Sequence, residues 1–192
     1  MAVQPVSSSN VKEKSPTTIN LPNDDQPILQ LWDGGNVFMQ PKKVLIIALW
    51  TDGKVVSLVD GKGNCILQFA TFLDIPKTPV KVGRIDTKCV SDIMQKISCA
   101  GFFETSKYAG GVRSDGPNVI LYARDATRTN ELQHEAVEDA AMHTMMKYSS
   151  RGLGFLSMWD LAMDALRTIR VQSWRPVDSK ENIVIEVPWK IK

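Results

Sequence analysis

The segment His134-Glu135-Ala136-Val137-Glu138 carries the residues with the most obvious chemistry. On a helix, His134 and Glu138 stand one turn apart on one face, a spacing that can grip a divalent metal. His143 follows five residues after Glu138 and completes a candidate ligand set. The zinc-protease pattern would place a second histidine where Glu138 stands, so the sequence departs from that pattern at its critical position. The competing reading is a solvated acidic helix face, because Glu131, Glu135, Glu138 and Asp139 crowd together. If the chain is still extended at His134, the shared helical face disappears.

Cys89 is a second candidate. It falls in the first turn of an expected helix capped by Asp86, where the free backbone amides favour a thiolate. Lys88 supports that effect while Asp86 and Asp92 oppose it. A small, partly buried core thiol is the plainer reading. Gly110 to Gly116 could cradle an anion through backbone amides with Arg113 assisting, but the phosphate-loop ending of Gly-Lys-Ser/Thr is missing, and a turn fits the composition better. Lys77, Lys81, Arg84 and Lys88 form a basic run diluted by Asp74, Asp86 and Asp92. No aromatic residues interleave with it for base stacking, so it reads as a solvated face.

The chain has five tryptophans. Trp32 and Trp50 fall in expected strands and Trp159 in an expected helix, where core filling accounts for them. Trp174, beside Arg175 and Pro176 in an expected loop, and Trp189 are the two candidates for an interaction surface, since tryptophan is enriched at binding hot spots. Met142, Met145, Met146, Met158 and Met163 read as gap fillers between helices.

These residues need a scaffold, and composition bounds it. The chain of 192 residues, 43% hydrophobic and 23% charged, supports one globular domain. With 23 basic against 21 acidic residues, the balance offers no electrostatic case for nucleic acid or an anionic membrane as partner. No apolar run approaches the ~18 residues of a membrane-spanning helix, and the opening MAVQPVSSSNVKEK lacks the pattern of a secretory signal. The three cysteines, Cys65, Cys89 and Cys99, have no metal-site spacing. Cys89 and Cys99 are about 15 Å apart on one straight helix, too far for a disulfide. Reduced thiols in a cytoplasm are expected.

Residues 1–25 are polar and lack aromatics, which predicts a disordered tail ahead of a single domain over residues 26–192. Pro27 to Trp32, Lys43 to Trp50 and Lys54 to Val59 read as strands, the last two joined through Thr51-Asp52-Gly53 as a hairpin. Val80 to Ile85 reads as extended. Asp86 caps a helix with Val90, Ile93, Met94 and Ile97 on one face, and Gly101 stops it. Val119 to Ala123 and Thr129 to Gln133 read as a hairpin, followed by helix to Tyr148. Ser149 to Gly154 reads as a break and Ser157 as the cap of a helix bearing Trp159, Ala162, Met163, Leu166 and Ile169. Asn182 to Trp189 reads as a closing strand, with Pro188 marking an edge. The order predicts an α+β fold, a mostly antiparallel sheet with hairpins packed against two or three helices.

The run from the Asp52-Gly53 hairpin through Gly83-Arg84, the helix and Gly101-Phe102-Phe103 to the Val119 strand resembles a loose group of uncharacterised bacterial α+β domains. The resemblance spans about Leu45 to Gln133. It implies the same fold class and a bacterial origin, and it implies no activity. The functional expectation is therefore a non-enzymatic binding or protein-interaction module, acting on a protein partner or a second copy, without a cofactor. The alternative is a metal-assisted or thiol-dependent hydrolase.

Overall fold

A computed structural model describes residues 19–33, 44–65, 67, 80–105, 118–135 and 150–177. In chain order the elements are β1 (Leu29–Asp33), β2 (Val44–Leu49), β3 (Lys54–Leu58), β4 (Val80–Arg84), α1 (Thr87–Cys99), a short 3-10 turn (Phe102–Glu104), β5 (Asn118–Arg124), β6 (Thr129–Glu135), α2 (Ser150–Arg167) and β7 (Trp174–Pro176). The strands make one seven-stranded sheet in the order β6-β5-β1-β2-β3-β4-β7. Every pairing is antiparallel, and the α+β architecture is as expected.

Local chemistry explains most of the turns. Between β2 and β3, Trp50 N–H donates to the Lys54 carbonyl at 2.9 Å across a loop of Thr51, Asp52 and Gly53. Gly53 closes it at φ 83°, the left-handed position that a three-residue hairpin loop requires. A Cβ there would sit 2.2 Å from the Ile85 carbonyl oxygen, so space excludes a side chain as firmly as the backbone does. The β5–β6 turn is held by Asp125, whose Oδ1 accepts from Thr127 N–H at 2.9 Å and Arg128 N–H at 2.7 Å. Asp86 caps α1 by accepting from Lys88 N–H at 2.7 Å.

Side-chain alternation divides the sheet into two faces. Leu29, Leu31, Ile47, Leu49, Val55 and Leu121 join Val90, Ile93, Met94 and Ile97 of α1 and Met158, Trp159, Ala162 and Leu166 of α2 in the main core. Ala48, Trp50, Val56 and Val82 form a smaller buried cluster on the opposite face. Phe102, directly after Gly101, is fully buried in the main core.

The structure corrects four expectations. Residues 19–25 are not part of a tail. Ile19 N–H donates to Gln95 Oε1 at 3.3 Å, the Asn20 carbonyl accepts from Ala126 N–H at 2.8 Å, and Ile19 and Leu21 pack on the core. Two apolar side chains in a polar stretch are too few to show a period, yet enough to dock it. Second, α2 begins at Ser150 and runs through Gly152, Gly154 and an exposed Ser157. Each glycine costs about 1 kcal/mol relative to alanine, which the buried face from Met158 to Leu166 outweighs. Third, Trp174–Pro176 is strand β7, paired with Lys81–Gly83 of β4, rather than a loop. Its edge position is what tolerates Pro176. Fourth, β6 continues through His134 to Glu135, so the chain is not yet helical there. Residues 1–18, the Gly110 to Gly116 loop and the Asn182 to Trp189 segment lie outside the described residues.

Candidate binding cleft at Trp174

Three pieces of chain meet beside β7. The first is the turn after β3. Asp60 Oδ1 accepts from the Lys62 and Asn64 N–H groups, both at 2.8 Å, and Oδ2 accepts from Asn64 Nδ2 at 3.1 Å. These bonds, led by the Asn64 backbone N–H, hold the Asp60 carboxyl below the usual carboxylate range. Gly63 occupies the left-handed region at φ 86° and lets the turn close.

The second piece is β7 itself. Trp174 pairs with Gly83, and a Cβ on Gly83 would fall 2.3 Å from Val171 Cγ1 and 3.1 Å from Trp174 Cε3. The absence of a side chain at Gly83 therefore lets the 171–174 segment lie against β4. Trp174 Nε1–H donates to the Gly63 carbonyl at 2.7 Å, which fixes the indole while leaving it half-buried.

The third piece is the C-terminal end of α2. Thr168 Oγ1 donates to the Ala165 carbonyl at 2.6 Å, and Arg170 Nη1 donates to the carbonyls of Arg167 at 2.6 Å and Ile169 at 3.0 Å. A cation here also meets the negative end of the helix dipole. Arg167 pairs with Asp164 at 2.6 Å on the exposed side of the helix.

Between these pieces lies a cleft of about 450 Å³. Its wall includes Trp174, Val171 and Cys65, and three cationic residues, Lys62, Arg167 and Arg170, with no carboxylate among the described lining residues. Burial pushes the Cys65 thiol up from its ordinary value, with Ser57 and Arg170 opposing. Burial thus disfavours the thiolate that a nucleophile needs. The arrangement can do two things chemically: attract an anion and stack or cover a flat apolar group.

A second cleft of about 460 Å³ lies around Trp50 and includes Asp24, Asp25, Asp52 and Lys54. Trp50 Nε1–H donates to the Asp25 carbonyl at 2.8 Å, and the Lys54 ammonium stands 4.1 Å from the ring centroid. Asp24 pairs with Arg124, with Nη1 to Oδ2 at 2.9 Å. That bond first, then Gln26 N–H, lowers the Asp24 carboxyl from 3.8 to about 2. Sequence reasoning missed this cleft because it consigned Asp24 and Asp25 to a tail.

The residues singled out from the sequence are scattered. His134 sits on β6 opposite Val119. The one-turn spacing to Glu138 needs a helix at both positions, so it is not available to His134. Glu138, His143 and Trp189 lie outside the described residues. Among the described residues, no group of three or more His, Cys, Asp or Glu side chains is placed to hold a metal ion. Cys89 lies in the first turn of α1 and is exposed rather than partly buried. Trp32, Trp50 and Trp159 are core residues, 6%, 5% and 3% exposed. Trp174 is the described tryptophan that keeps an accessible face. Sequence reasoning missed Lys62, Arg167 and Arg170, since no spacing links a turn at 62 to a helix end at 170.

Among the described residues, no helix is long and apolar enough to cross a membrane. Compared with known protein families, curated proteins and solved structures, the chain matches none.

Proposed function

We propose that the protein is a non-enzymatic binding module that engages a protein partner, or a second copy of itself, through the cleft at Trp174. The observation that carries this reading is the held but half-open indole. Its N–H is spent on the Gly63 carbonyl, so the ring is oriented before any partner arrives and loses little freedom on binding. A tryptophan on an edge strand, flanked by arginines, has the composition of an interface hot spot. We also place the protein in a reducing, cytoplasmic setting, in keeping with two exposed free thiols, Cys89 and Cys99.

The test is native mass spectrometry on the purified protein and its Trp174→Ala variant. The expected result is a dimer or a retained ligand in the wild type and its loss in the variant. A bare monomer in both, or an assembly indifferent to the substitution, would overturn the reading. The alternative, a hydrolase, draws on the exposure of Cys89 at the start of α1. It requires rapid alkylation of Cys89 by iodoacetamide at neutral pH together with loss of a measurable esterase activity.

A further inference from the structure

We infer that the occupant of the Trp174 cleft is an acidic peptide segment carrying an aromatic anchor. This deepens the binding reading above and rests on it. The first observation is charge. The whole chain is close to neutral, at net +2, whereas the described residues that line the cleft include Lys62, Arg167 and Arg170 and no carboxylate residue. The nearby described carboxylates are already engaged, Asp164 with one of the three cations themselves. Asp60 accepts bonds from its own turn, and Asp164 pairs with Arg167 on the exposed side of α2. Lys62, exposed at the tip of that turn, has no ion-pair partner among the described residues. Such a surface attracts carboxylates and repels a basic segment.

The second observation is the indole. With its N–H bound to Gly63, Trp174 offers only ring surface, which suits an aromatic side chain in offset or edge contact. An aromatic residue flanked by Asp and Glu places ring on ring and carboxylates at Lys62 and Arg170. The cleft is also in the size range of a site that holds one large side chain with its neighbours.

The experiment is a fluorescence-anisotropy titration of the full chain with three labelled peptides. Each has one central Phe, flanked by Asp and Glu, by Ser and Gly, or by Lys. The acidic peptide is expected to bind best and to weaken as salt is raised. Lys62→Glu, a change on an exposed turn tip that leaves the core untouched, should weaken it by about tenfold. Trp174→Phe, which keeps a ring in place, should retain more binding than Trp174→Ala. Circular dichroism confirms that each variant is folded. Equal binding of the uncharged peptide, still lost in Trp174→Ala, overturns the acidic-partner inference and leaves the binding module standing. Tighter binding of the Lys peptide, or no effect of Lys62→Glu, overturns the inference as well. If no peptide binds and the wild type is a bare monomer, both readings fall.

Discussion

The Trp50 and Trp174 clefts are built alike and finished differently. Each has a tryptophan whose indole N–H donates to a backbone carbonyl, Asp25 at 2.8 Å and Gly63 at 2.7 Å. Their volumes are nearly equal, about 460 and 450 Å³. They belong to opposite faces of the sheet, since Trp50 is in the smaller cluster and Trp174 packs on the main core. The difference is how the charge is answered. In the acidic cleft, Asp24 pairs with Arg124 and Asp52 with Arg84, and Lys54 covers the ring. The chain is its own ligand there. In the basic cleft the arginines are steadied by backbone carbonyls and Asp164, but among the described residues the lining stays cationic and the ring stays partly open. A cleft that neutralises itself is structural, and one that leaves one sign of charge beside an open aromatic face is equipped for a partner.

The contrast can be broken from either side. The largest effect should come from Gly53→Val. The position has φ 83° and a Cβ would lie 2.2 Å from the Ile85 carbonyl. Left-handed strain and a backbone clash together should cost about 3 kcal/mol or more, read as a fall in the urea midpoint with loss of the Trp50 side of the sheet. Next is Gly83→Ala. Its Cβ would meet Val171 at 2.3 Å and Trp174 at 3.1 Å, and the overpacking should cost about 1–3 kcal/mol. Because β7 is a three-residue strand at the edge of the described sheet, hydrogen exchange should show the Trp174 and Arg175 amides loosened while β1 and β2 stay protected.

A smaller effect separates the clefts by pH. The Asp24 carboxyl is lowered from 3.8 in the unfolded chain to about 2 in the fold. Its contribution is therefore fully present above about 4 and is lost as pH falls through about 2. Asp24→Asn should be less stable than the wild type near neutrality, and the gap should close across that acid window. The pair is solvent-exposed on the Asp24 side, so the gap should be small. A gap that persists unchanged at pH 2 would mean that the Asp24–Arg124 pair does not latch the 19–26 segment.

Much of the scaffold was readable from local rules. Asp52 and Gly53 announced a hairpin, Asp86 a cap, Gly101 a stop, and Val90, Ile93, Met94 and Ile97 a buried face. Each is a relation between residues a few positions apart, and the structure has all of them. Trp174 was also named as a binding candidate, from its residue type and neighbours alone. Its surroundings were assigned to a loop, because nothing in Trp-Arg-Pro signals a strand until β4 offers an edge and Gly83 leaves room. The docking of residues 19–25, the extended backbone at His134 and the meeting of Lys62, Arg167 and Arg170 depend on contacts between distant stretches of chain. Local preference fixes such short, polar or ambiguous segments only weakly, so the free energy of packing them onto a sheet decides their shape. That is why the sequence determined the turns, caps and core faces, while the tertiary structure alone decided which charges stand around the open tryptophan.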